Sequence, residues 1–156
     1  MQTQLETRDV PEINCMGLVH KGPYNQIGPT FQQLGEQITH AQLWGKVGMM
    51  RGIYRDNPND VPADQLTSYA CVEILDETVE WPAELLKMHF KGGKAAVLAH
   101  KGPYEQLPDA WMAISEAVYG PNSSFVPAPG FSRGEYSSVD FENPDNNVTE
   151  LMIFVQ

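Results

Sequence analysis

The sequence has 156 residues, 42% of them hydrophobic and 19% charged, which is typical of one folded domain and argues against a disordered chain. Twenty acidic against ten basic residues give a net charge of −10, and the basic residues are scattered, so direct nucleic-acid binding is not expected. No apolar run is long enough for a membrane helix and the N-terminus is polar, so the sequence predicts a cytoplasmic protein that does not engage a membrane.

The pentapeptide His-Lys-Gly-Pro-Tyr occurs twice, at residues 20–24 and 100–104, an offset of 80. The same offset without gaps places Phe31 on Trp111 and Ile38 on Val118. Recurrence of five consecutive residues by chance is very improbable in so short a chain. The sequence therefore predicts an internal duplication with copies at 1–80 and 81–156.

Each copy is predicted to contain two extended segments, a helix and a final pair of strands. Apolar residues recur at helical spacing after the pentapeptide in both copies, and Gly-Pro-Tyr is expected to open that helix. Turn-forming Asn, Asp and Pro residues separate the last two strands of each copy. In chain order, the predicted strands cover 4–10, 13–20, 47–54 and 67–75, then 84–91, 94–100, 133–141 and 149–155.

These elements predict an α+β fold class and a single domain over residues 1–156. Two β-α-β-β units related by a pseudo-two-fold axis are expected to form a mainly antiparallel sheet with both helices on one side. A ligand is expected where the two copies meet, because pockets favour interfaces between subdomains.

Residues that usually hold metals or cofactors show no matching pattern. The four histidines have no metal-ligand spacing, and no phosphate-binding glycine motif is present, so neither a metal nor a cofactor is predicted. His20 and His100 each end a strand before a helix and are expected to hydrogen-bond the following turn. Cys15 and Cys71 lie in apolar segments and are predicted to be buried, reduced thiols.

Strand alternation places side chains suited to ligand binding on common faces. It puts Met50, Gly52 and Tyr54 on one face, while Met152 and Phe154 share a side of the last strand. Glu135 is an acid inside a strand, and a carboxylate among aromatic and methionine side chains suits a lipophilic cation. The predicted ligand-binding residues are Met50, Gly52, Tyr54, Trp111, Glu135, Met152 and Phe154.

Three segments resemble the GyrI-like small-molecule-binding domains, which also serve as effector-binding domains of AraC-type and MerR-type multidrug regulators. They are Gly-Ile-Tyr-Arg-Asp-Asn-Pro-Asn-Asp-Val-Pro-Ala-Asp-Gln-Leu at 52–66, Gly-Lys-Ala-Ala-Val-Leu-Ala-His-Lys-Gly-Pro-Tyr at 93–104, and Thr-Glu-Leu-Met-Ile-Phe-Val at 149–155. The resemblance implies duplicated SHS2-like units and a central acid in the strand before the last. Counting back seventeen residues from Met152 assigns that acid to Glu135, and Tyr136 is expected to point to the other face.

The resemblance implies a stand-alone domain that binds a hydrophobic or cationic small molecule. Two alternatives remain open. One is a hydrolase of reactive electrophiles, with Glu135 as candidate catalytic base and Tyr54 or Tyr104 orienting water. The other is a module similar to DNA gyrase inhibitors that meets a protein partner or forms a homo-oligomer.

Overall fold

The computed structural model describes residues 4–58, 60–138, 140 and 142–156, and these residues form an α+β fold of eight strands and two α-helices. Seven of the eight predicted strands agree with the observed ones to within two residues. The strand predicted over 133–141 ends at Ser138, and residues 139 and 141 lie outside the described residues. In chain order the elements are β1 (Gln4–Val10), β2 (Ile13–Lys21), α1 (Gly28–His40), β3 (Val47–Tyr54), β4 (Thr67–Ile74), β5 (Leu86–Phe90), β6 (Gly93–Lys101), α2 (Leu107–Tyr119), β7 (Ser132–Ser138) and β8 (Val148–Phe154).

The two helices begin later than the sequence suggested. Tyr24–Gln26 and Tyr104–Gln106 each form one turn of 3₁₀ helix, and the α-helix starts only after that turn. Pro29 and Pro108 occupy the first turns of α1 and α2. A proline is favourable there because its fixed φ suits the helix and its missing N–H would have had no partner.

Two compact units divide the chain. The central unit is Glu12–Phe90, and the terminal unit is Met1–Pro11 together with Lys91–Gln156. Every described strand pairing within them is antiparallel: the order is β3-β4-β2-β5 in the central unit and β1-β6-β8-β7 in the terminal unit.

The first strand of each sequence copy is exchanged between the units. β1 belongs to the first copy but pairs with β6, with Leu5 opposite Leu98. β5 belongs to the second copy but pairs with β2, with Cys15 opposite Met88. Each four-stranded unit is therefore assembled from both copies of the repeat.

Each helix covers one face of the sheet in its own unit. In the central unit, Leu34 and Ile38 of α1 pack into one core with Ala70 and Val72 of β4. Ile114 and Val118 of α2 occupy the corresponding place in the terminal unit, against residues of β6 and β8. The opposite faces carry smaller apolar clusters, so both faces of each sheet bury hydrophobic area.

The two cysteines are buried and not joined by a disulfide, as predicted. A hydrogen bond with Cys15, together with burial, raises the pKa of the Cys71 thiol well above its ordinary value. The thiol therefore stays protonated and poorly nucleophilic at neutral pH.

Candidate functional site

The two copies of the pentapeptide adopt the same local structure. His20 donates from Nε2 to the carbonyl oxygen of Pro23 at 2.9 Å, and His100 makes the same bond to Pro103 at 3.4 Å. The two tyrosines that follow stand at equivalent starts of their 3₁₀ turns. These bonds confirm the prediction that the histidines brace the turn after each strand.

The glycine of each pentapeptide joins the same turn to the residue just before β4 or β8. Gly22 and Gly102 have φ angles of 121° and 141°, a region that other residues rarely adopt. Their N–H groups donate to Leu66 O and Asn147 O, each at 2.9 Å. The turn therefore holds each tyrosine in a defined position beside the sheet.

In the central unit this tyrosine meets a second ring. The rings of Tyr24 and Tyr54 lie 4.9 Å apart at 63°, an edge-to-face contact. The Tyr24 hydroxyl donates to Asp56 O at 2.6 Å and accepts from Asp56 N at 2.8 Å. Tyr24 is therefore locked to the backbone and stabilises the structure at this point.

The three predicted residues of β3 share a face, as strand alternation requires. The Tyr54 ring lies over Gly52, where an added Cβ would stand 2.8 Å from Tyr54 Cζ. Met50 and Tyr54 are partly buried against the core under α1. The absence of a side chain at Gly52 thus creates the space that the Tyr54 ring occupies.

The terminal unit repeats the ring pair with one difference. Tyr104 and Tyr136 lie 5.5 Å apart at 78°, again edge to face. Tyr104 is 40% exposed, and the described residues supply no hydrogen bond to its hydroxyl. Trp111 of α2 is partly buried against the core on this same face of the sheet. We call the three aromatic residues on this face of the terminal unit the helix-face cluster (Tyr104, Trp111 and Tyr136).

The other three predicted residues of the terminal unit lie on the opposite face of its sheet. Met152 and Phe154 belong to the cluster on the face away from α2 and are only 1% and 5% exposed. Glu135 alternates with Tyr136 along β7 and is 8% exposed. The structure therefore separates Trp111 from the other predicted residues of this unit. It also places Glu135 and Tyr104 on opposite faces, so Tyr104 is not positioned to orient water for that carboxylate.

Tyr136 is not among the ligand-binding residues predicted from the sequence. When the two sequence copies are aligned at an offset of 80 without gaps, Tyr54 is aligned with Gly134 and not with Tyr136. The reason is that the connection after α2 differs in length from that after α1. Alignment on the tyrosine of each pentapeptide, with a gap allowed, would have paired Tyr54 with Tyr136.

Charged groups on the face of Glu135 form a partly exposed network. Glu150 lies directly opposite Glu135 in the strand register. Arg8 donates to Glu150 at 2.7 Å and Ser137 donates to it at 3.1 Å. The Arg8 hydrogen bond is the main cause that lowers the pKa of Glu150 below its ordinary value.

We expect Glu150→Gln to reduce the loss of stability in acid. A carboxyl whose pKa is lowered by folding stabilises the protein above its unfolded pKa, and this contribution disappears as pH falls through the folded pKa. The pair is near the surface, so the effect should be at most about 1 kcal/mol. Urea unfolding between about pH 3 and pH 7 measures it. Glu6→Gln, which alters a more exposed neighbour of Arg8, is the control. An equally steep acid dependence in Glu150→Gln and wild type would contradict the assignment.

Neither a metal centre nor a membrane span is found in the described part of the chain. Its His, Cys, Asp and Glu side chains form no group of three or more suited to a metal ion. Within the same residues, both helices are too short to cross a bilayer.

Comparison with solved structures identifies proteins of the same fold. The C-terminal domain of EcmrR has a TM-score of 0.75 at 14% identity, covering 100% of this chain and 99% of that one. In the complex of EcmrR with DNA, the match covers 99% of this chain but only 57% of the longer EcmrR chain, with a TM-score of 0.77 and 13% identity.

Two further proteins of the same fold are named for different properties, one for a bound ligand and the other for an enzymatic activity. SAV2435 bound to tetraphenylphosphonium has a TM-score of 0.70 at 14% identity, covering 100% of this chain and 94% of that one. A hydrolase from Listeria innocua has a TM-score of 0.64 at 15% identity, covering 98% and 92%. Likeness at these identities shows the fold alone.

No curated protein matches the sequence. The model of the GyrI-like small molecule binding domain, by contrast, matches residues 3–156. Because that match spans nearly the whole chain, the protein belongs to the family of GyrI-like small molecule binding domains.

Proposed function

We propose that this protein binds lipophilic cations and that the helix-face cluster is the surface that contacts them. The observation that carries the proposal is the edge-to-face pair of Tyr104 and Tyr136, in which Tyr104 is 40% exposed. The exposed Tyr104 ring can therefore contact a further aromatic or cationic group.

Charge favours a cation over a neutral or anionic ligand of the same shape. The chain carries a net charge of −10. Glu105 follows Tyr104 directly, and Asp109 and Glu116 lie on exposed positions of α2, on the same element that positions Trp111. The negative potential of these carboxylates and the electron-rich faces of the rings both attract positive charge. The tetraphenylphosphonium bound by SAV2435 supports the same ligand class.

The role that fits this chemistry is that of an effector-binding domain. The full-length match to the C-terminal domain of EcmrR supports it. We propose that ligand capture is the activity of this domain and that any regulatory output passes through a partner or through ligand sequestration.

Tetraphenylphosphonium and tetraphenylborate provide the decisive pair of probes, because they have nearly the same shape and opposite charge. We expect the cation to bind with a Kd of about 1–10 μM, a level typical of adaptable pockets, and the anion to bind at least about tenfold more weakly. Tyr104→Leu removes the ring face but keeps apolar bulk, so it should weaken cation binding by about tenfold. Isothermal titration calorimetry measures all three affinities.

Glu135→Gln tests whether the cation binds instead on the face of the terminal sheet that points away from the helix-face cluster. If the cation binds at the helix-face cluster, this substitution should change its affinity less than about threefold, since the carboxylate lies across the sheet from the rings. If Glu135→Gln greatly weakened cation binding and Tyr104→Leu did not, the binding site would lie on the face of Met152 and Phe154. Equal binding of the cation and the anion would contradict the proposed ligand class.

A further inference from the structure

A row of three polar side chains crosses the sheet beneath the helix-face cluster. His100 of β6 is directly opposite Thr149 of β8, and Thr149 is directly opposite Tyr136 of β7. Side chains that stand directly opposite on neighbouring antiparallel strands share a face and lie about 5 Å apart at Cβ. The row therefore leads from the Tyr104–Tyr136 pair into the interior of the terminal unit.

The inner end of this row contains two polar atoms without partners. His100 and Thr149 are each 1% exposed, and within the described chain neither His100 Nδ1 nor Thr149 Oγ1 has a hydrogen-bond partner. His100 Nε2 bonds the carbonyl of Pro103 and must carry the ring proton, since a carbonyl oxygen only accepts. In the tautomer with its proton on Nε2, Nδ1 is an acceptor, and no described group donates to it. Buried polar atoms are nearly always satisfied, so two adjacent exceptions require an explanation.

The central unit differs from this arrangement at the histidine and not at the hydroxyl. Ser68 Oγ, which faces His20 as Thr149 faces His100, is likewise buried without a described partner. There, Thr30 Oγ1 lies 3.4 Å from His20 Nδ1. The offset of 80 places Ala110 of α2 at the position of Thr30. Ala110 is 1% exposed and lacks both the hydroxyl and the methyl group of threonine. In the terminal unit, His100 Nδ1 therefore lacks the donor that Thr30 provides in the central unit, and the smaller Ala110 occupies the equivalent position.

Tyr104, which contacts the outer end of this row at Tyr136, is less constrained than its counterpart Tyr24. Asp56 holds the Tyr24 hydroxyl by two hydrogen bonds in the central unit, whereas the described residues hold the more exposed Tyr104 only by its ring contact. The Tyr104 side chain can therefore rotate away from Tyr136 without breaking a described hydrogen bond.

We propose that His100 Nδ1 and Thr149 Oγ1 form a polar subsite that takes the N–H of a primary or secondary ammonium ligand, with Tyr104 and Tyr136 against its cationic and apolar parts. The ligand donor would replace the hydroxyl that Thr30 supplies in the central unit. An ammonium N–H donates to both acceptors, while a quaternary ammonium or phosphonium ion satisfies neither. This inference rests on the proposed function and specifies which cations the site prefers.

The test compares diphenylmethylammonium with its N,N,N-trimethyl counterpart, which carries the same charge and rings but no N–H. We expect wild-type protein to bind the primary ammonium about tenfold or more tightly, the scale of a charge-assisted hydrogen bond. Ala110→Thr should supply the missing donor from the protein and reduce this preference to about twofold or less. Thr30→Ala, the matched change in the central unit, should leave the preference intact.

Two additional measurements keep the outcome interpretable. Thermal unfolding establishes that Ala110→Thr is folded; if it is not, Thr149→Val removes one acceptor from the same subsite and should lower the preference in the same way. The ¹⁵N chemical shift of His100 Nδ1 should move on addition of the primary ammonium and stay in place with the trimethyl probe. Equal affinities for the two probes in wild type, or an unchanged preference in Ala110→Thr, would overturn the subsite. Tetraphenylphosphonium lacks an N–H, so its binding reports on the proposed function separately.

Discussion

Arg133→Met should lower the free energy of unfolding by about 3–5 kcal/mol. The Arg133 side chain is 1% exposed and donates to Pro11 O at 3.1 Å and to Lys91 O at 2.6 Å. Its guanidinium also stands 5.1 Å from the centre of the Phe154 ring. Methionine fills much of the same volume but offers no donor, so both carbonyl groups lose a charge-assisted hydrogen bond inside the protein. Urea unfolding followed by circular dichroism measures the change.

Lys87→Met is the matched control, because it removes a positive charge from an exposed strand position. The Lys87 side chain is 64% exposed, and among the described residues its one ion pair is with Glu77 at 3.9 Å. Such pairs contribute little, so the control should shift stability by less than about 1 kcal/mol. If both variants lost a similar free energy of unfolding, the effect of Arg133→Met would come from the loss of a positive charge and not from the hydrogen bonds to the two carbonyl groups.

Gly17→Ala should be almost as destabilising, by about 3 kcal/mol, for a steric reason. A Cβ on Gly17 would collide with the carbonyl oxygen of Ala70 and approach Cys71 Cα to 3.0 Å. Both contacts involve the backbone of β4, which pairs with β2 at this point. Rotation of a side chain cannot relieve a backbone collision, so the two strands must separate or slide. Differential scanning calorimetry should show a markedly lower Tm.

Gly28→Ala separates this steric effect from the general difference between glycine and alanine. Nothing lies within 4 Å of a Cβ added at Gly28, at the start of α1. Alanine reduces the entropy of the unfolded chain and favours helix, so this variant should be neutral or slightly more stable. If Gly17→Ala matched Gly28→Ala in stability, the close approach of β2 and β4 at Gly17 would be refuted.

The sequence predicted local structure well because its strongest signals are local. The repeated pentapeptide correctly predicted equivalent turns at Tyr24 and Tyr104, and strand alternation correctly separated Tyr136 from Glu135. The start of each α-helix was misplaced because Gly-Pro-Tyr also suits a 3₁₀ turn, and the proline that enters the α-helix comes later.

Pairing between distant strands could not be predicted in the same way. A duplication shows that two segments are alike but not which partner each one takes, and β1 and β5 each had two sequence-equivalent candidates. The face of Glu135 relative to α2 follows from this pairing and from the packing of the helix, so the sequence placed Trp111 with Glu135 although the sheet separates them. The unpartnered atoms of His100 and Thr149 depend on three elements and were equally beyond a reading of the chain.

The exchange of β1 and β5 also bears on how such a domain arises and folds. A single copy of the repeat, taken alone, would leave its first strand without this partner and able to pair with another molecule, as in domain swapping. The central unit is one continuous segment, Glu12–Phe90, but the terminal unit is complete only when both ends of the sequence have been synthesised, since Gln4 pairs with Ala99. Contacts between such distant residues slow folding and make its completion depend on the whole polypeptide.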